Sequence, residues 1–432
     1  MDYNRFISKH SQARNPSATN KIHAYLVRAI SPYLHQKGMI SLGAGQPNPS
    51  TFPFAGMTIT LKTGEKIEVD EELFSRSLSY DLTPGLPHLT KWLSELQKIE
   101  HKPLVEYDLS VGVGSQDLLT KAFDMVLDSG DSLLIEKPTY TGCLSFLKTL
   151  NCDLADIDTD AEGIVPASLE SMLANWPESN PSGKKDQPRP RCLYTIPSGS
   201  NPTGVSATLE RKQAVYKICQ KYDVLIIEDD AYYYLQFSNE RVPSYLSLDV
   251  DGRVLRFDSM SKILSAGLRL GWVTGPKILL DRINMHTMVT NLQPSGVPQV
   301  MAYALLEKWG HDGFFKHVFE VSNFYRQKRD EFIECLDRRM KGRAEWTVPT
   351  AGMFVWIRLL GGIKDSYDLI MKKALKENVL AIPGVAFMPH GEKTEYVRVS
   401  YSNVSKENMD EGLRRLAKVV DQEAEANGTP IN

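Results

Sequence analysis

The sequence has little net charge, few cysteines and no long apolar run. Its 50 basic and 53 acidic residues leave a formal charge of −3, which gives no reason to expect nucleic acid or an anionic membrane as a partner. No apolar run approaches the roughly 18 residues of a transmembrane helix. The start, MDYNRFISKHSQARNPSATNKI, is basic and poor in acids but lacks the apolar core of a secretory signal. We therefore expect a cytoplasmic protein, with mitochondrial import as the alternative.

The cysteines and histidines predict neither a disulfide framework nor a metal centre. The five cysteines are odd in number and scattered among apolar residues, which is typical of buried, reduced thiols. No two cysteines have the spacing of zinc ligands, and the nine histidines are dispersed. We expect no metal site.

The length and the residue pattern predict an α/β fold of two domains. A chain of 432 residues exceeds the size of a single hydrophobic core. Apolar runs alternate with amphipathic segments between about residues 105 and 275, which favours a mostly parallel seven-stranded sheet covered by helices. The expected strands are 109–113, 132–136, 153–157, 192–196, 224–228, 254–258 and 270–274. Ligands of such sheets bind outside the carboxyl ends of the strands.

The C-terminal third has a different pattern. The runs GMFVWIRL and EYVRVSY predict strands, and Ser405 is the expected N-cap of a helix with Met409 and Leu413 on its apolar face. This pattern predicts a smaller α+β domain. We expect an N-terminal segment at 1–45 that packs on the small domain and the active site, a large domain at 46–310 and the small domain at 311–432.

Polar side chains follow the first two predicted strands. Gly114, Ser115 and Gln116 begin a helix, where backbone N–H groups and the helix dipole attract phosphate. The same triplet is also an ordinary helix cap. Tyr140 follows the next strand and could cover a flat ligand, although a packed core tyrosine is the simpler interpretation.

Further polar residues follow three later strands. Asn201 brings an amide to the strand ends, although asparagine before proline is also a common turn former. Asp229 and Asp230 follow 224–228, and only one of them can face a site, because consecutive strand residues point in opposite directions. Lys262 follows 254–258, with Arg269 seven residues later. Each charge alone could be solvated at the surface.

Together these residue types match the requirements of pyridoxal 5′-phosphate (PLP). This cofactor needs an amine, an acid at the ring nitrogen, an aromatic face, and several donors with an arginine for its phosphate. A dinucleotide-binding fold is the competing α/β interpretation, but VGVGSQD does not supply G-x-G-x-x-G.

Longer motifs strengthen this interpretation. The sequence resembles fold-type I PLP-dependent aminotransferases, in the subgroup of kynurenine/α-aminoadipate and aromatic-amino-acid aminotransferases. The resemblance covers nearly the whole chain and is carried by ARNPS (13–17), MISLGAGQPNPSTFPF (39–54), LYTIPSGSNPTG (193–204), LIIEDDAYYYLQF (225–237), DGRVLRFDSMSKILSAGLRLGWVTGP (251–276) and AGMFVWIRL (351–359).

The resemblance implies a role for each candidate residue. Lys262 would bind the cofactor as an imine and later move the substrate proton. Asp229 would pair with the ring nitrogen. The remaining cofactor contacts would be Asn201 and Tyr232 to the phenolic oxygen, Tyr140 stacked on the ring, and Ser115, Gln116, Ser259, Ser261 and Arg269 on the phosphate.

The resemblance also implies substrate contacts and a dimer. Arg398 would bind the substrate α-carboxylate in a bidentate fork, and the backbone at Gly45 would lie close to the substrate, as would Asn201. Tyr80 resembles a tyrosine that reaches the phosphate of the neighbouring subunit, so we expect a homodimer. Relatives that act on aminoadipate and kynurenine can carry an arginine where this chain has Asn20, which weakens the expectation of a second carboxylate in the substrate.

The predicted function is transamination. Aromatic, kynurenine-like or 2-aminoadipate-like amino acids would donate the amino group to 2-oxoglutarate in a ping-pong cycle. A PLP-dependent lyase or decarboxylase with the same cofactor frame is the alternative. A non-enzymatic ligand sensor is a third, although only about 40 residues precede LGAGQPNP, too few for a winged helix.

Overall fold

The computed structural model describes residues 1–14, 36, 38–40, 42 and 45–431. By its internal contacts the chain divides into two compact units. Unit 1 comprises Met1–Asp128 and Val250–Phe314, and unit 2 comprises Ser129–Asp249 and Phe315–Asn432. The domain bounds 1–45, 46–310 and 311–432 stay a prediction from the sequence.

The described residues form fourteen strands. In chain order they are β1 (Thr58–Thr60), β2 (Lys66–Glu68), β3 (Asp108–Gly112), β4 (Ser132–Lys137), β5 (Asp153–Asp160), β6 (Gly163–Ile164), β7 (Cys192–Thr195), β8 (Leu225–Asp229), β9 (Val254–Ser259), β10 (Gly271–Gly275), β11 (Ala344–Trp346), β12 (Phe354–Leu359), β13 (Ile382–Pro383) and β14 (Tyr396–Ser400).

The α-helices are α1 (Lys9–Ala13), α2 (Glu71–Ser77), α3 (Pro87–His101), α4 (Ser115–Val126), α5 (Thr141–Thr149), α6 (Pro166–Ala174), α7 (Leu209–Tyr222), α8 (Tyr245–Leu248), α9 (Lys277–Thr290), α10 (Gly296–Met340), α11 (Ser366–Asp368) and α12 (Lys406–Ala426). Within α10, Gly310 has non-helical backbone angles. None of the helices in the described part of the chain is both long and apolar enough to cross a membrane.

Unit 1 holds three strands of the large sheet, in the order β3-β10-β9. β10 runs antiparallel to both of its neighbours in this unit. α4 follows β3 directly and buries a continuous apolar face, which includes Leu118, Ala122 and Phe123. Because α4 begins only three residues after β3 ends, its first turn lies at the carboxyl end of that strand.

Unit 2 holds five strands of the large sheet, in the order β8-β7-β4-β5-β6. β4, β5, β7 and β8 are parallel, and the two-residue β6 pairs antiparallel with β5. A second sheet in the same unit is antiparallel, with the order β11-β12-β14-β13. Its core includes Met409 and Leu413 of α12, and Ser405 caps that helix through the N–H of Asn408.

The predicted fold class is confirmed, with one correction to the strand count. All seven predicted strands of the large sheet are present, with ends that differ by at most three residues. The large sheet has eight strands rather than seven, because β6 adds a short edge strand. Two residues are too few to show an alternation of polar and apolar side chains, so the sequence pattern could not reveal β6.

Candidate active site

The loop after β9 carries Lys262 between two serines. Ser259 ends the strand, and its hydroxyl accepts a hydrogen bond from the N–H of Ser261 at 3.2 Å. This bond caps a single 3₁₀ turn, Met260–Lys262, which places the lysine one turn beyond the sheet. The Lys262 side chain is partly buried. Lys262 therefore lies just after the end of a strand, in a short loop that is held by a hydrogen bond.

Arg269 lies beside the same loop and beside the start of α4. Its Nη1 donates to the hydroxyl of Ser261 at 3.3 Å and to the carbonyl of Ala266 at 3.1 Å. Its Nη2 donates to the carbonyl of Val113 at 3.4 Å. The guanidinium is therefore held against the residues that precede α4, within unit 1.

Gly114, the N-cap of α4, makes this approach possible. Its φ is +83°, and a Cβ at this position would lie 2.5 Å from Nη2 of Arg269. A glycine N-cap has no side chain to accept from the first helical N–H groups, so these donors can serve a bound anion. The helix start, the hydroxyls of Ser115 and Ser261 and the arginine form a donor set that fits a phosphate dianion.

In unit 2, Asp229 ends β8 and is held by Tyr194 of β7. The hydroxyl of Tyr194 donates to Oδ2 of Asp229 at 2.8 Å. Tyr194 is fully buried, and the Asp229 side chain is nearly so. Burial, followed by the charge of Asp229, raises the pKa of the Tyr194 phenol well above its usual value. The phenol therefore stays protonated and acts as a donor to the carboxylate.

Asn201 and Arg398 form the second polar contact in unit 2. Nη1 of Arg398 donates to Oδ1 of Asn201 at 2.7 Å. The guanidinium carbon lies 4.3 Å from the ring centre of Phe354 and 4.9 Å from that of Phe387. Burial lowers the pKa of Arg398, while Tyr232 and Tyr140 favour its charged form.

One donor of Arg398 has no partner among the described residues. Its Nε is buried and makes no hydrogen bond. An unsatisfied buried donor on a charged group is costly unless a ligand completes it. A carboxylate is the acceptor that matches a guanidinium in a bidentate geometry.

A glycine places Asn201 beside the second sheet. Gly199 has φ +54°, and a Cβ there would lie 2.8 Å from the backbone carbon of Ala351 and the nitrogen of Gly352. The loop that carries Asn201 therefore packs directly on the backbone that leads into β12. Any side chain at residue 199 would separate the two segments.

Tyr232 lies close to both polar contacts of unit 2. Its ring meets Phe354 edge to face, with centres 6.0 Å apart. Burial raises the pKa of Tyr232, and Asp229 and Tyr140 raise it further. The Tyr232 hydroxyl therefore stays a hydrogen-bond donor. Tyr140, the N-cap of α5, is partly buried.

Two buried residues at this end of unit 2 were not predicted from the sequence. Glu136 is buried on β4 and accepts hydrogen bonds from the Thr195 hydroxyl and from the N–H of Ile196, the latter at 3.2 Å. Burial is the main reason that its pKa rises to about 7. The position of Glu136 at the end of a predicted strand could have singled it out as a candidate site residue. Tyr194, inside the apolar run of β7, could not be singled out in this way.

The remaining predicted residues are placed as follows. In unit 1, Gln116 is the second residue of α4 and partly buried, whereas Gly45 and Tyr80 are exposed. Tyr80 borders a cavity of about 380 Å³ together with Phe52 and Gln293. Unit 1 thus groups the predicted phosphate contacts with Lys262, and unit 2 groups Asp229, Tyr232, Asn201 and Arg398. Asn20 lies outside the described residues.

In the parts of the chain that the structure describes, no group of three or more histidine, cysteine, aspartate or glutamate side chains has an arrangement that could hold a metal ion.

Comparison with known proteins identifies the family. The family model described as aminotransferase class I and II matches residues 37–416. The mitochondrial kynurenine/alpha-aminoadipate aminotransferase of Bos taurus is 42% identical over 430 residues, 97% of this chain and 99% of that protein. Aminotransferase tdiD of Emericella nidulans is 44% identical over 412 residues and covers 92% of each chain.

Solved structures agree with this family assignment. The aromatic aminotransferase Aro9 of Candida albicans has a TM-score of 0.88 and 26% identity over 100% of both chains. Aro8 of the same organism has a TM-score of 0.87 and 30% identity, over 98% of this chain and 99% of that one. The resemblance and the fold type predicted from the sequence are thus confirmed. The chain belongs to the class I and II aminotransferase family, whose members use PLP, and it is an aminotransferase.

Proposed function

We propose that this aminotransferase binds PLP and takes amino groups from aromatic, kynurenine-like or 2-aminoadipate-like amino acids. It passes them to 2-oxoglutarate in a ping-pong cycle. The names of relatives from cattle, from Dictyostelium discoideum and from Schizosaccharomyces pombe support this donor range. The observation that carries the proposal is Arg398, whose buried Nε makes no hydrogen bond within the described chain. It provides a receptor for the α-carboxylate that all these donors share.

The residues of unit 1 hold and use the reactive end of the cofactor. When bound, PLP supplies an aldehyde that condenses with amines and a ring that withdraws electrons from the substrate α-carbon. Lys262 supplies the amine that attaches the cofactor. With that amine free, Lys262 would act as the base that takes the proton of the substrate α-carbon and as the acid that returns it. The phosphate is held by Ser115 and Gln116 of the first turn of α4 and by Ser259, Ser261 and Arg269.

The residues of unit 2 hold the ring and the substrate. Asp229, kept in place by Tyr194, pairs with the ring nitrogen and holds the proton there. Because Oδ1 of Asn201 accepts from Arg398, its amide nitrogen is the group that donates to the phenolic oxygen. Tyr232 donates to the same oxygen, and Tyr140 covers the face of the ring. Arg398 binds the substrate carboxylate. Gly45, a residue of unit 1, is the further proposed substrate contact, through its backbone.

A panel of amino donors with 2-oxoglutarate tests the reaction. Kynurenine, 2-aminoadipate, phenylalanine, tyrosine and tryptophan are each supplied, and the 2-oxo acid and glutamate are quantified. Equal amounts of the two products support transamination. Ammonia or CO₂ formed without an acceptor would instead show a lyase or decarboxylase. A weak response to 2-aminoadipate that improves in Asn20→Arg would show that residue 20 governs recognition of the second carboxylate.

Covalent labelling tests the role of Lys262. Borohydride treatment of the PLP-loaded protein should abolish its visible absorption and leave the label on the Lys262 peptide. Lys121 and Lys212, which are buried, serve as internal controls. Label on either control lysine, or on none of the three, would refute the assignment. Lys262→Ala should remain unlabelled.

We also propose a homodimer in which Tyr80 of each subunit reaches the phosphate of the neighbouring subunit. The exposure of Tyr80 in the single chain supports this. Tyr80→Phe and Lys262→Ala can be mixed after partial unfolding to form hybrid dimers. If Tyr80 acts on its neighbour, one site of each hybrid contains both wild-type residues, and activity returns. Activity no greater than that of the separate variants would show that Tyr80 does not act across the interface.

The location of the protein in the cell is a further proposal. The basic, acid-poor N-terminus and the mitochondrial names of the cattle, rat and mouse relatives support mitochondrial import as the alternative to a cytoplasmic location. Fractionation of cells that express the chain with a C-terminal tag decides between the two.

A further inference from the structure

We infer that Tyr194 is a positioning residue for the ring-nitrogen acid: its hydroxyl fixes the Asp229 carboxylate and keeps it ionised. Cys143 interacts with the Tyr194 side chain and helps to position it. This inference rests on the proposed role of Asp229 toward PLP. It adds two residues, Tyr194 and Cys143, that do not themselves touch the cofactor.

The register of the sheet explains why Tyr194 reaches this carboxylate. β7 and β8 are parallel neighbours, and Tyr194 lies opposite Ile227. Ile227 and Asp229 are two residues apart on one strand, so their side chains project from the same face. The long tyrosine side chain spans this offset and ends 2.8 Å from Oδ2 of Asp229.

The surroundings make this hydrogen bond important. Only 6% of Asp229 is exposed, and Tyr194 is completely buried. Burial alone disfavours an ionised carboxylate, whereas a donated hydrogen bond favours it. Tyr194 supplies one such donor directly, and it fixes the direction in which the second carboxylate oxygen points.

Cys143 extends the arrangement into the core. It lies in the first turn of α5, is completely buried, and is a hydrogen-bond partner of Tyr194. The phenol has a single proton, which goes to Asp229, so its oxygen accepts from the thiol. Burial raises the pKa of Cys143 well above its usual value, which keeps the S–H group available as this donor.

The alternative is that Tyr194 only fills space in the core. Tyr194→Phe keeps the ring and removes the hydroxyl, which separates the two roles. Tyr216→Phe is the matched control, because Tyr216 is also buried and donates to a buried carboxylate, Asp249, at 3.0 Å. That pair belongs to neither group of predicted site residues.

Two probes report on the ring nitrogen. Pyridoxamine 5′-phosphate binds without a covalent bond, and its 1-deaza analogue has carbon in place of the ring nitrogen. We expect Tyr194→Phe to raise the dissociation constant of pyridoxamine 5′-phosphate about tenfold in calorimetry, because a hydrogen bond to a charged acceptor is lost. The dissociation constant of the deaza analogue should change less than about twofold, since no N–H group faces Asp229. Tyr216→Phe should change neither constant.

The outcomes separate this inference from the proposed function. An equal loss for both probes, or no loss for either, overturns the positioning role of Tyr194. A wild-type protein that binds the two probes equally well, or neither, overturns the proposed role of Asp229 itself. Cys143→Ala is the second variant if Tyr194→Phe does not fold. It should weaken pyridoxamine 5′-phosphate about two- to threefold and spare the analogue, and equal affinity changes for both probes overturn the proposal.

Discussion

Glu136→Gln should remove a loss of stability that the wild-type protein undergoes as the pH rises from about 5 to 8. Glu136 is buried, and its pKa is raised from an ordinary 4.5 to about 7. Burial is the largest cause and the charge of Asp229 adds to it, whereas hydrogen bonds from Thr195 and Ile196 oppose it. The folded protein therefore keeps a proton on Glu136 at pH values where the unfolded chain has lost it.

The sign and size of the effect follow from proton linkage. A raised pKa in the folded state contributes stability that is complete below the unfolded pKa of 4.5 and disappears as the pH passes about 7. At about 1.4 kcal/mol per pH unit, the whole contribution is about 3 kcal/mol, and the part lost between about pH 5.5 and 8 is about 2 kcal/mol. Glutamine resembles the protonated acid, and its carbonyl can accept the same two hydrogen bonds.

Urea unfolding at pH 5.5 and 8 measures this contribution. We expect the free energy of unfolding of Glu136→Gln minus that of the wild type to be about 2 kcal/mol larger at pH 8 than at pH 5.5. Glu178→Gln makes the same chemical change at an exposed position and should show no such difference. A Glu136→Gln variant whose stability difference from wild type is the same at both pH values would refute the argument that the buried carboxyl is protonated.

Three further predictions concern glycines and cysteines. Gly114→Ala places a Cβ against Arg269 and should weaken the binding of pyridoxamine 5′-phosphate at least tenfold. The binding of pyridoxamine, which lacks the phosphate, should not change. Equal losses of affinity for the two ligands would contradict the phosphate assignment. Gly199→Ala, at φ +54°, should lower the free energy of unfolding by about 1–3 kcal/mol, and unchanged urea unfolding would contradict this. Cys143 and Cys192 are buried and have raised pKa values, and the pKa of Cys152 rises to about 11. After mild alkylation, mass spectrometry should find these three thiols unmodified in the native protein and modified in urea.

The sequence predicted the fold because the strands of the large sheet are almost continuous apolar runs. β4, β7, β8 and β9 are nearly or completely buried along their length, and a run of this kind is visible without knowledge of its neighbours. β6 was not predicted, because it has only two residues and its pairing with β5 is a backbone contact that forms on folding. Local pattern thus predicts long buried strands well and short edge strands poorly.

The site residues divide in a similar way. Lys262 follows β9 and Asp229 is the last residue of β8, so the positions of these strands in the sequence predict where the two residues lie. The contact between Tyr194 and Asp229 depends on which strands are neighbours and on their register, and neither follows from the sequence pattern. Arg398 could be singled out only by resemblance, because a charged residue in a strand is usually solvated. Its contacts with two phenylalanine rings and the burial of its Nε arise only on folding.

The contact between Asn201 and Arg398 has a consequence for how the enzyme can evolve. In the proposed site, one small amide orients the arginine that would receive the donor carboxylate, and the nitrogen of the same amide would donate to the cofactor. A substitution at residue 201 would therefore alter the affinity for the cofactor and for every amino donor together. Changes of substrate range that leave the cofactor undisturbed have to arise elsewhere, among residues that meet the donor side chain rather than its carboxylate.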